Sequence, residues 1–166
     1  PEDIIKEPYI DMVAIGEGEQ TIKEIANKKE KINIKGTWYK KNKQTIKNPL
    51  RKLEQNLNKL PFPDREIFNY QKYIDRNRGL ATFMNSRGCP FQCSYCINKV
   101  LIDKYKGKGK YVRFRSVDNI LKEIKEVITK YKVKEIEFYD DTFTLNKEHI
   151  KEFCERYKKE INLPFN

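Results

Sequence analysis

Three thiols crowd into eight residues: Cys89, Cys93 and Cys96, in the run Ser86-Arg-Gly-Cys-Pro-Phe-Gln-Cys-Ser-Tyr-Cys96. An odd number cannot pair off evenly, and bridged Cα atoms must lie within a narrow distance window, so a disulfide framework is a poor reading. Thiolates at spacings of four and three can instead wrap a compact inorganic cluster from one loop. A [4Fe–4S] cluster normally takes four thiolates. Three leave one iron open, as a catalytic zinc keeps one position for substrate. Gly88 and Pro90 bend the chain around such a cluster, and Phe91 and Tyr95 are expected to shield it from water. The competing reading is a structural zinc site. That needs a fourth ligand, which neither His149 nor Cys154 supplies locally, and zinc loops usually show Cys-x-x-Cys pairs.

Two further segments could do chemistry. Asp140 and Asp141 are adjacent carboxylates that could meet a cationic ligand, or could simply mark a turn and helix start. The basic run Lys104-Tyr-Lys-Gly-Lys-Gly-Lys110, followed by Arg113 and Arg115, is open to reading as a phosphate-side or substrate-side loop. Cys154 falls on the apolar face of a helix and is expected to be a small core residue. His149, the one histidine, falls off that face and is expected to be solvated.

The elements that must position these residues follow from periodicity. Leu80–Met84 is strand-like and runs straight into the cysteine loop. Ser116 can cap a helix whose stripe is Ile120, Leu121, Ile124, Val127, Ile128 and Tyr131. Lys134–Tyr139 alternates as a second strand and ends at the Asp pair. Asn146 can cap a second helix with Ile150, Phe153, Cys154, Tyr157 and Ile161 inward, and a third strand could begin at Leu163–Asn166. Such alternation implies parallel strands with right-handed crossovers, whose ligands sit at the strand carboxyl ends. The cysteine loop and the Asp pair are both at such ends, so they should be neighbours.

Upstream, Met12–Ile15 is long enough for a buried strand, and Gly16-Glu-Gly-Glu19 leads into a helix with Ile22, Ile25 and Ala26 inward, an αβ element. Residues Ile32–Ile46 read as a hairpin turning at Lys41–Lys43, in which the single Trp38 packs rather than binds. Asn48–Tyr73 carries three prolines, and Pro61 and Pro63 favour extended chain, so the segment reads as a connector. The domains expected are 1–47, 48–79 and 80–166.

Composition sets the outer bounds. The 166 residues carry 35 Lys plus Arg against 24 Asp plus Glu, a net charge of +11. The excess is mostly lysine spread along the chain, whereas grooves that read nucleic acid lean on arginine, so it reads as solvated surface and argues against a nucleic-acid partner. With 38% hydrophobic and 12% aromatic residues a core can form, and no apolar run reaches the roughly 20 residues of a membrane span. The chain begins at Pro1 without a leader pattern and reads as an internal fragment.

Cys89-x-x-x-Cys93-x-Tyr95-Cys96, after the first strand, resembles the signature of radical S-adenosylmethionine (SAM) enzymes. The resemblance extends through Gly16-Glu-Gly-Glu19, Leu60-Pro-Phe-Pro-Asp-Arg65, Ser86–Phe91, Arg113-Phe-Arg-Ser116 and Asp140-Asp-Thr-Phe-Thr144. In that order these resemble the subfamily with an N-terminal cobalamin domain, which includes anaerobic magnesium-protoporphyrin monomethyl ester cyclases and many methyltransferases. The resemblance implies an α/β fold. It would comprise the first βα units of a partial (β/α)6 TIM-like barrel, preceded by the end of a Rossmann-like cobalamin-binding domain.

For the site, the resemblance implies a [4Fe–4S] cluster on Cys89, Cys93 and Cys96, and SAM beside Tyr95 and the Asp140–Asp141 segment. It places Gly16, Glu17, Gly18 and Glu19 on the cobalamin side. The family's usual Gly-Gly-Glu is replaced here by Tyr139-Asp-Asp141. A small-molecule or cofactor-like substrate, an electron donor such as flavodoxin or ferredoxin, and a cytoplasmic location are implied, with radical chemistry such as methyl transfer or cyclisation as the outcome. The alternatives are a methylthiotransferase acting on transfer RNA, and a non-catalytic iron–sulfur or metal-binding module.

Overall fold

Met12–Ala14 forms strand β1, and Glu19–Asn27 forms helix α1. Thr37–Lys41 (β2) and Gln44–Lys47 (β3) form the hairpin that the alternation predicts, with Asn42 in the left-handed region at the turn. The computed structural model describes residues 1–27, 33–42 and 44–166. The hairpin's expected first residue, Ile32, and the last residue of its expected turn, Lys43, lie outside them. The described chain divides into two units: Pro1–Leu53 with Gly107–Gly109, and Glu54–Lys106 with Lys110–Asn166.

In the first unit the order is β1-β2-β3, all antiparallel, with Val13 opposite Trp38 and Trp38 opposite Lys47. The strand at Met12 is therefore the outer strand of the hairpin sheet and is not the buried strand that its apolar run suggests. Ile5, Ile34, Tyr39 and Leu53 are the unit's buried apolar side chains. The roll of α1 also differs from expectation. Thr21 is buried and faces the Lys35 carbonyl, Glu24 pairs with Arg51 at 2.9 Å, and Ile22 is 63% exposed. The ion pair and the tight Gly36 corner beside Thr21 fix this roll, so apolar spacing alone does not decide it. Trp38 is half-buried, with the Lys47 ammonium 4.2 Å from its ring centroid.

The second unit begins with helix α2 (Tyr70–Arg76), capped by Asn69, inside the stretch expected to be irregular. Tyr70 and Ile74 enter the core, and that tertiary anchoring overrides a weak seven-residue signal. Strand β4 (Leu80–Phe83) follows, then a two-residue strand β5 (Ser86–Arg87), helix α3 (Ile97–Lys104) and strand β6 (Arg113–Phe114). Helix α4 (Val117–Lys130), strand β7 (Glu135–Phe138) and helix α5 (Lys147–Glu160) complete the order. Ser116 accepts from the Asn119 amide and Asn146 from the His149 amide, as the capping pattern predicts.

Strands β4 and β7 pair in parallel, from Leu80 opposite Glu135 to Phe83 opposite Phe138. Phe165 makes a parallel bridge to Ile136, so a third strand begins where expected. The core lies between this sheet and the helices: Ala81, Phe83 and Ile136 meet Ile120, Leu121, Ile124, Val127, Phe153 and Tyr157. At about 1.5–3 kcal/mol for each fully buried large apolar side chain, this face rather than intrinsic propensity holds α4. Burial pushes the Tyr157 phenol up to about 12.

Cys154 is exposed, not in the core. The inward stripe of α5 is centred on Phe153 and Tyr157, and Cys154 stands one 100° step around.

A buried charge network backs the sheet. The Glu123 carboxylate lies between Arg65 at 2.7 Å and Arg115 at 2.5 Å, and all three side chains are largely buried. The second positive charge is offset by aromatic faces: Arg65 stands 5.1 Å from the Phe83 ring and 5.4 Å from Tyr70, and Arg115 stands 5.3 Å from Phe62. This is what the proline segment and the Arg113–Ser116 segment do locally: they deliver Arg65, Phe62 and Arg115 to one glutamate.

Candidate functional site

The cysteine loop stands on a closed base. After β4, the Asn85 carbonyl accepts from the Arg115 amide, and Ser86 and Arg87 pair antiparallel with Phe114 and Arg113. The Arg115 guanidinium, already bound to Glu123, also donates to the Met84 carbonyl at 3.1 Å. Gly88 then turns the chain at φ +84°, and a Cβ there would come within 2.5 Å of the Tyr111 carbonyl oxygen. Only glycine satisfies both demands.

All three cysteines of the loop are free: Cys89 buried, Cys96 half-buried and Cys93 exposed. The Cys96 amide donates to the Cys93 carbonyl at 3.0 Å, which closes the last turn before α3. Thr142 Oγ1 lies 3.1 Å from Cys89 Sγ, and Asn98 Nδ2 lies 3.5 Å from Cys96 Sγ. Among the described residues no three His, Cys, Asp or Glu side chains converge on the position of one metal ion. The donors on the loop are three thiols, the ligand chemistry that iron–sulfur clusters take. Phe91 is 55% and Tyr95 93% exposed, so neither shields the loop as the sequence reading expected. No part of the described chain packs over their outer faces.

The end of β7 meets the loop, as the strand order predicted. The two oxygens of Asp140 accept from the Asn85 amide at 3.0 Å and from the Ser86 hydroxyl, so this carboxylate clamps the base of the loop. Asp141 is exposed. Its charge, together with the larger effect of burial, raises the pKa of the Tyr111 phenol. The Tyr139 hydroxyl turns back to Glu137, and that hydrogen bond holds its phenol above the ordinary range.

His149 is not solvated as expected. It is half-buried, its Nε2 is 3.1 Å from Asn85 Oδ1, and its ring packs 5.3 Å from Phe114. Burial lowers its pKa, and Glu152 and Asp140 oppose that effect. Asn85, fully buried at the loop's base, and Asn98 were missed from sequence. A lone asparagine has no periodic signal, although a polar residue in a short apolar context was the available clue. Gly16, Glu17, Gly18 and Glu19 lie in the first unit and form the turn into α1, where the Gly18 carbonyl accepts from Ile22 and Gly16 adopts φ +94°.

Residues 86–165 match the Radical SAM superfamily. The whole chain is similar to an uncharacterized methyltransferase of Pyrococcus horikoshii, at 37% identity over 165 residues, covering 96% of this chain and 35% of the relative. It is also similar to the anaerobic magnesium-protoporphyrin IX monomethyl ester cyclase of Cereibacter sphaeroides, at 26% identity, covering 89% of this chain and 24% of that one. The chain therefore spans about a third or less of these relatives. In fold it resembles the radical SAM methyltransferase TsrM of Kitasatospora setae, solved with tryptophan and a SAM analogue, at a TM-score of 0.64 and 17% identity over 90% of this chain and 29% of that one. The same enzyme solved with cobalamin and a [4Fe–4S] cluster gives a TM-score of 0.62 and 16% identity, over 94% of this chain and 31% of that one.

Proposed function

We propose that this chain, whose residues 86–165 form a domain of the Radical SAM superfamily, belongs to an enzyme in which Cys89, Cys93 and Cys96 hold a [4Fe–4S] cluster with one iron left for SAM. The observation that carries the proposal is the meeting of the loop that bears three free thiols with the segment after β7, through Thr142 to Cys89 and Ser86 to Asp140. When bound, the cluster and SAM supply a one-electron reductive cleavage of the sulfonium that starts radical chemistry.

The residues of this chain bind and orient. The three thiolates would hold the cluster, and the Gly88 turn presents them from a fixed base. The backbone at Tyr95 would help to hold the adenine of SAM. Asp141 offers a carboxylate to the SAM ammonium, since both oxygens of Asp140 are already engaged. In the longer protein β4, β7 and the strand begun at Phe165 are the first strands of a partial (β/α)6 barrel. Residues 1–47 end a Rossmann-like cobalamin-binding domain, and 48–79 connect the two.

The cobalamin assignment rests on the relatives. The single histidine, His149, packs against Asn85 and Phe114, and no step is assigned to a corrin. A methyl transfer or cyclisation on a small or cofactor-like substrate, with a low-potential donor such as flavodoxin or ferredoxin in the cytoplasm, is the reaction class proposed for the whole enzyme.

Anaerobic iron–sulfur reconstitution of the full-length protein, followed by SAM addition, tests this. The expected result is a cluster whose electron paramagnetic resonance spectrum changes with SAM. A spectrum indifferent to SAM overturns the reading in favour of a plain iron–sulfur module. Cys93→Ala is expected to lose the cluster, as measured by iron content, while folding normally, because Cys93 is exposed and takes no part in the core.

A further inference from the structure

We infer that Asn98 is a hydrogen-bond donor to the cluster ligand Cys96 and sets the potential at which the cluster accepts its electron, an inference that rests on the three-thiolate reading above. Asn98 is 4% exposed in the first turn of α3, while its apolar neighbours Ile97 and Val100 face solvent at 63% and 59%. A helix that exposes its apolar residues and buries its amide inverts the usual pattern, and a buried polar group is the informative case. Both ends of the amide are used: the Tyr111 hydroxyl donates to Oδ1 at 2.7 Å, and Nδ2 lies 3.5 Å from Cys96 Sγ.

The tyrosine fixes the orientation. With Oδ1 taken by the phenol, the amide N–H faces the sulfur, and the reversed amide would set its oxygen against the lone pairs of a thiolate. Tyr111 is itself held, stacked on the buried Tyr105 ring at 6.3 Å, with its carbonyl tight against Gly88. Asn98 is thus a positioning residue pre-set by packing, while Cys93, the middle ligand, stands exposed. Donors to ligand sulfur favour the reduced cluster, which carries the more negative charge.

The test uses full-length protein, reconstituted anaerobically, as wild type, Asn98→Ala and Tyr111→Phe. Iron and sulfide per chain are counted, and the midpoint potential is read by dithionite titration followed by electron paramagnetic resonance. Asn98→Ala is expected to keep its iron and titrate at a more negative potential, so that at a fixed potential the reduced-to-oxidised ratio falls roughly tenfold. Tyr111→Phe, which keeps the amide but frees it to rotate, should shift the same way by less. An unchanged potential in Asn98→Ala at full iron content overturns the inference. If that variant holds no iron, Tyr111→Phe decides, and an unchanged potential there overturns it equally. A wild-type protein that takes up no iron overturns the cluster reading itself, which is a distinguishable result.

Discussion

The base and the crest of the cysteine loop are built on opposite terms. At the base, Asn85, Ser86, Asp140, Arg115 and Glu123 are mutually bonded and largely buried. At the crest, Phe91, Cys93 and Tyr95 stand open to solvent. The base spends its polar groups on one another and so fixes where the thiols begin. The crest keeps its groups available. Exposed residues are thus set apart from mutually bonded ones, and mutations should separate the same way.

The largest effect should come from the base. Glu123→Ala leaves Arg65 and Arg115 buried without their anion and should destabilise the protein by about 3–5 kcal/mol, read as a fall in the denaturant midpoint. A loss near that of an exposed ion pair would mean that water reaches the network. Asp140→Ala strands the buried Asn85 amide and should cost about 1–3 kcal/mol in the same assay.

A smaller effect is tied to pH. The folded state depresses the His149 pKa, so its contribution is full above the unfolded value of about 6.5 and is lost as pH falls from there through the folded value. Stability should therefore decline below about pH 6.5 more steeply in the wild type than in His149→Gln. Equal slopes would show that the ring is not buried against Asn85 and Phe114 as described. The smallest effect belongs to the crest: Tyr95→Ala should move stability by no more than about 0.5 kcal/mol. A larger loss would abolish the distinction between crest and base.

Long, strongly periodic segments were legible from sequence. The Ser116 and Asn146 caps, the stripe of α4 and, Cys154 apart, that of α5 follow from side-chain spacing, and the meeting of the cysteine loop with the Asp140 segment followed from strand order. Helices α2 and α3 and the β5–β6 pair were not legible, because seven or eight residues, or two, carry too little pattern and are held by tertiary contact. The roll of α1 misled because the Glu24–Arg51 pair and the Gly36 corner outweigh Ile22. Within the site, cysteine spacing announced itself. Asn98 and His149 did not, since their significance lies in neighbours 13 and 64 positions away.

The pairing of Asn85 with Arg115 and of Ser86 with Phe114 joins both ends of the cysteine segment into a stem. The intervening residues, α3 and the lysine–glycine run included, are an excursion whose closure is already complete at its neck. Lengthening it costs only the slow logarithm of a longer loop, and β4 and α4 keep their register whatever its length. Within this architecture the β5–β6 neck, and not the length of the excursion, sets where the cysteine loop begins and where α4 starts.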